Sequence, residues 1–166
     1  MTKLTAEIEK LLSRELEGLA REIELFPDDE SPWRTLPGVT NSAGNLALHL
    51  CGNLRHYVGA VLGGTGYVRQ RDAEFATRSG TRTELAAALR ETRSVVAASL
   101  SAVTDATLAA PFPEKVGGVQ IRCDRFLLHL CTHAALHLGQ AGYLRRAVTG
   151  SSASAGPIPV AALAGE

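Results

Sequence analysis

Cysteine is scarce in this chain, aromatic residues make up only 5% of it, and neither sign of charge is in excess. Each shortage excludes something. Cys51, Cys123 and Cys131 are odd in number, widely spaced and form no CxxC pair. A disulfide framework is therefore not expected, and a reducing cytoplasm is the expected compartment. Lysine and arginine total 17 and so do aspartate and glutamate, a formal net charge of zero. That balance gives no electrostatic footprint for nucleic acid or an anionic membrane. No stretch approaches the roughly 20 apolar residues that span a bilayer. The opening MTKLTAEIEKLLSRELEG is charged throughout and has no apolar run of the secretory kind. No Glu-x-x-His pair occurs, which sets aside a di-iron carboxylate bundle. There is no internal repeat and no alternating strand pattern.

What the chain does have is helical periodicity. Leu4, Ile8, Leu11, Leu12, Leu19, Ile23 and Phe26 recur at helical spacing between charged residues. Pro27, Pro32, Pro37 and Gly38 then forbid continuation. A second helix is predicted from an N-cap at Asn41 or Ser42 to about Leu62, stopped by GGTG. Thr81 and Glu84 have capping-box spacing and open a third, to about Val103. After a long connection, in which Val119 to Ile121 could be extended, Asp124 can cap a fourth helix running to about Thr149. The expected fold class is all-α: one four-helix bundle over residues 1–150 with long connecting loops, in either crossover or up-and-down order. Residues 151–166, rich in glycine, serine and alanine, are expected to be a flexible tail. The cysteines suit small core positions.

The closing helix carries the chemistry. His129, His133 and His137, three of only 5 histidines, stand four residues apart in LLHLCTHAALHLGQ. Residues at i and i+4 share a helix face. The outer two are about 12 Å apart along the axis, too far for one small ion to take all three. An adjacent pair can share an ion, and spacing leaves His129 with His133 and His133 with His137 both open. A third ligand has to come from another helix. On the second, Asn45, His49, Gly52, Asn53, His56 and Gly59 share a polar, small-sided face suited to a cleft wall, and either His49 or His56 could meet the pair.

These residues resemble the DinB-like superfamily. The closing-helix pattern there is a histidine, three residues, histidine, one residue, Gly-Gln, which here is His133 to Gln140. The second pattern is a histidine early in the second helix, which here is His49 within GVTNSAGNLALHLCGNLRHYVG. The resemblance extends over roughly residues 5–149 and leaves out the tail. It implies a four-helix bundle in which His49, His133 and His137 hold a divalent metal, commonly zinc or nickel. It also implies a homodimer. In some branches it implies transferase or isomerase chemistry with a low-molecular-weight thiol such as bacillithiol, mycothiol or glutathione.

Three neutral imidazoles on a dication leave a position open, as catalytic rather than closed structural sites do. Such an ion lowers the pKa of a bound water or thiol. Asn45, His56 and Gln140 are the candidates for orienting ligands or substrate. His56 is the candidate catalytic residue, a proton carrier, because its unperturbed pKa is near 6.5. The expected function is a metal-dependent protein acting on a small molecule, and the resemblance implies a thiol-dependent S-transferase or isomerase acting on small electrophiles. The alternatives are a metal-dependent hydrolase and a metal-binding or interaction module without catalysis. A histidine phosphotransfer bundle needs one exposed reactive histidine, and the clustering argues against it.

Overall fold

The computed structural model describes residues 1–155. Helix α1 spans Lys3–Glu24, with a Thr2–Thr5 capping box at its start. It buries Ile8, Leu12, Leu16, Leu19 and Ile23 completely along one stripe. The proline-rich stretch that follows turns once through a short 3₁₀ helix, Ser31–Trp33. Trp33 sinks into the core there, and its indole N–H donates to Gly80 O at 2.8 Å. Helix α2, Ala43–Leu54, begins at the Ser42 cap, where Ser42 and Asn45 complete a reciprocal capping box. The chain stays helical to Leu62, but Arg55–Leu62 winds as a π-helix. A π segment inside an α-helix is uncommon and recurs at functional sites.

Two short helices interrupt connections that the sequence reading left irregular. Helix α3 covers Arg71–Ala76 and α5 covers Asp105–Ala109. Between them lies α4, Arg82–Ser101, whose Thr81–Glu84 capping box forms as the spacing predicts. The Val119–Ile121 piece forms no strand. Reciprocal backbone bonds join Val116 and Val119 across Gly117 and Gly118, and Phe112 N donates to Ile121 O. Helix α6, Cys123–Thr149, closes the fold. Its N-cap is Arg122 rather than the expected Asp124, which lies in the first turn and pairs with Arg122 at 2.7 Å. Gly150 ends it at φ 69, a left-handed conformation that glycine adopts without penalty.

The long helices α1, α2 with its π extension, α4 and α6 form the bundle. Helix α1 packs against α4 and α6, and so does α2, while α1 and α2 meet only lightly. The two helices of each diagonal, α1 with α2 and α4 with α6, therefore face each other across the core. Of the two orders left open, this is the crossover one. The pairing of α2 with α6 is what matters for the site.

The first part of the expected tail, residues 151–155, has no regular structure yet is held to the bundle. Arg145, fully buried, donates from Nε to Glu22 at 2.6 Å and from a terminal nitrogen to the Ala153 carbonyl. Ala155 N donates to Glu22, and Arg21 reaches the Ala155 carbonyl. The rest of the expected tail, residues 156–166, lies outside the described residues.

Candidate metal centre

Helix α2 carries His49 on the face it turns to α6, and α6 carries His133 and His137 one turn apart. The bundle brings the three together. One ligand atom from each lies within 4.8 Å of the other two, and no other group of three metal-ligating side chains meets that condition among the described residues. His49 Nε2 stands 3.2 Å from His133 Nε2, and the His137 ring packs edge-on to both, at centroid distances of 5.1 and 4.3 Å. His137 Nε2 is buried and has no hydrogen-bond partner.

These contacts fit a shared ion. Two imidazole nitrogens about 2.1 Å from a tetrahedral ion sit roughly 3.4 Å apart, close to the spacing seen. A hydrogen bond explains the His49–His133 contact if His133 is protonated on Nε2, but it leaves His137 Nε2 with nothing. A divalent ion held there would account for all three atoms.

The opposite ring edges are secured. His49 Nδ1 lies 3.0 Å from Glu74 Oε2, and Arg69 grips the same carboxylate with two nitrogens, at 2.7 and 2.8 Å. Arg69 Nη2 also comes within 3.2 Å of His49 Nδ1. Because a carboxylate only accepts, the consistent arrangement places the proton on His49 Nδ1, donating to Glu74, and leaves Nε2 free. His137 Nδ1 donates in the same way to Gln140 Oε1 at 2.9 Å. Both rings thus present Nε2 inward. Burial pushes the His49 and His137 pKa values down. His133 is pushed down to about 4, by burial first and then by its neighbours His137, His49, His129 and Arg69. All three rings are neutral at neutral pH, as metal ligands must be.

The remaining sequence candidates fall elsewhere. Gln140 contacts a ring as expected. Asn45 touches none: it completes the α2 cap, and its amide nitrogen donates to the Glu74 and Thr77 carbonyls at 3.0 and 2.9 Å, tethering α3. His129 is exposed and stacks between Phe126 and His133, outside the group. His56 is not brought into it either. Its Nε2 meets Glu114 Oε2 at 3.0 Å, and its ring packs on Tyr57.

Sequence reasoning missed Glu74 and Arg69. Glu74 is buried on a six-residue helix, and Gly52 is what admits it, since a Cβ there would overlap the carboxylate. Two glycines on the histidine face, Gly52 and Gly59, were visible in the sequence, but the group filling the space at Gly52 was not.

A family model described as the DinB superfamily matches residues 11–141. The fold is shared with the crystal structure of a conserved protein from Enterococcus faecalis, at a TM-score of 0.70 and 18% identity over 91% of this chain and 100% of that one. No curated protein matches the chain.

Proposed function

The chain belongs to the DinB superfamily, and from that premise we propose that it is a metal-dependent protein holding zinc or nickel on His49, His133 and His137. We further assign it the activation of a low-molecular-weight thiol toward a small electrophile, in transfer or isomerisation. The observation that carries the reading is the convergence of three neutral imidazole edges, with His137 Nε2 buried and otherwise unpartnered. A dication bound there supplies Lewis acidity, which lowers the pKa of a coordinated water or thiol.

The chain's own residues do the rest. Glu74, clamped by Arg69, fixes the tautomer and orientation of His49. Gln140 does the same for His137. A set of only three side chains leaves one coordination position for a small molecule. Proton transfer we assign to His56, which its pairing with Glu114 orients. We also propose a homodimer in the cytoplasm. No helix among the described residues is long and apolar enough to cross a membrane, and all three cysteines are free.

The test is metal analysis of the purified protein, then a thiol-dependent assay with generic electrophiles. One equivalent of zinc or nickel per chain with thiol-dependent turnover supports the reading. Metal without thiol chemistry points to a hydrolase or a binding role. Absence of metal after growth in zinc- and nickel-supplemented medium overturns it. Replacing His56 should then lower turnover and leave metal content alone, and light scattering should give twice 17.5 kDa.

A further inference from the structure

Three buried side-chain polar atoms among the described residues lack a hydrogen-bond partner: His137 Nε2, Arg145 Nη1 and Asn53 Oδ1. The first faces the metal centre, and the second belongs to the Glu22–Arg145 pair between α1 and α6. Asn53 is 7% exposed and stands one turn beyond His49 on α2. Its surroundings are fixed by the residues that bracket it. One turn earlier, His49 meets His133 and His137. One turn later, Tyr57 meets Phe126 edge-on at 4.9 Å. Both contacts are to α6, so the α2 surface between them fronts α6 as well. On this face of α6, His129 and Leu130 lie between Phe126 and His133: His129 is exposed and its ring stacks on both, and Leu130 is buried in the core. Asn53 therefore lies on the side of α2 that fronts α6, one turn from His49, with its Oδ1 buried and unpaired.

We propose that Asn53 contacts the ligand of this centre: its Oδ1 accepts a hydrogen bond from the molecule that takes the open coordination position. The inference rests on the metal reading above. Buried amide oxygens are normally paired. A site that offers one selects a ligand carrying an N–H or O–H donor beside its metal-binding oxygen or sulfur, and it discriminates against an analogue with a methyl group in that place. The substrate class is thus narrowed to metal-binding small molecules with an adjacent donor.

The test uses the zinc-loaded full chain and two hydroxamates, titrated by calorimetry. Acetohydroxamate binds a dication through its oxygens and keeps an N–H beside them; N-methylacetohydroxamate has lost it. Wild type should prefer the first by roughly five- to tenfold, the worth of one hydrogen bond. In Asn53→Leu and Asn53→Ala that preference should shrink to within about twofold at unchanged zinc stoichiometry. The proposal is overturned if wild type binds both alike or neither, or if the preference survives in the variants. The wild-type comparison decides the matter even if a variant fails to fold. Failure of wild type to retain zinc would overturn the metal reading instead, and zinc analysis before each titration separates the two.

Discussion

Removing the Glu74 carboxylate separates two roles that the structure gives to one side chain. Glu74 holds His49 Nδ1 at 3.0 Å and neutralises Arg69, whose side chain is only 11% exposed. Glu74→Leu keeps much of the volume but leaves a buried guanidinium without its counter-charge. Breaking a buried pair from one side is worth up to about 3–5 kcal/mol of stability. It also frees the His49 ring, and loss of such a support lowers metal affinity by about 10- to 100-fold, which is about 1.4–2.7 kcal/mol. Adding Arg69→Met removes the stranded charge, and replacing both members of a buried pair with apolar groups is often neutral. Urea unfolding of the metal-free protein should therefore show a large loss in Glu74→Leu and substantial recovery in the double variant. Competition against a chromophoric zinc chelator should show weakened binding in both, without recovery. If the single variant binds zinc within threefold of wild type, or if affinity returns with stability in the double variant, Glu74 does not support the ligand and the reasoning fails.

Three further outcomes follow from the same geometry. His133→Ala should strip zinc or weaken it severely while His129→Ala leaves metal content near wild type; the reverse, read by elemental analysis, would place the ligand register one turn away. Gly52→Ala should force the Glu74 carboxylate off its position and weaken zinc binding, and a variant of wild-type affinity would show that the contact yields cheaply. In the metal-free protein His133 titrates at about 4 when folded and near 6.5 when unfolded. The unfolded chain thus takes up the proton first, and stability should be full above about pH 6.5 and fall as pH drops toward 4. His133→Gln should flatten that slope in urea titrations at several pH values, and an equal slope in both proteins would refute the assignment.

The parts of the molecule legible in the sequence are those with a period or a fixed offset. The recurrence of Leu4, Ile8, Leu11, Leu12, Leu19, Ile23 and Phe26 forecasts α1, and Ser42 and Thr81 announce the starts of α2 and α4 through local hydrogen bonds that need no tertiary partner. The four-residue spacing of His133 and His137 puts two ligands on one face, but choosing them over His129, and His49 over His56, took the family pattern. Arg69 and Glu74 were invisible because what joins them is a buried carboxylate on a helix of 6 residues, too short to show periodicity. The π winding of Arg55–Leu62 was equally hidden, since nothing in the spacing of its eight residues distinguishes it from a continued α-helix. Asp124 illustrates the opposite error, a good capping residue two positions too late, because Arg122 takes the cap and pairs with it.

The diagonal placement of α1 and α2 governs the order in which the protein can assemble. Of the four long helices these two come before the others, yet neither covers the other's apolar stripe; both wait for α4 and α6. His49 precedes its partner His133 by 84 residues. At about 5–20 residues per second, translation leaves that imidazole alone for roughly 4 to 17 s. The three imidazoles thus come together late in the life of the chain, and until then α1 and α2 leave their apolar stripes exposed.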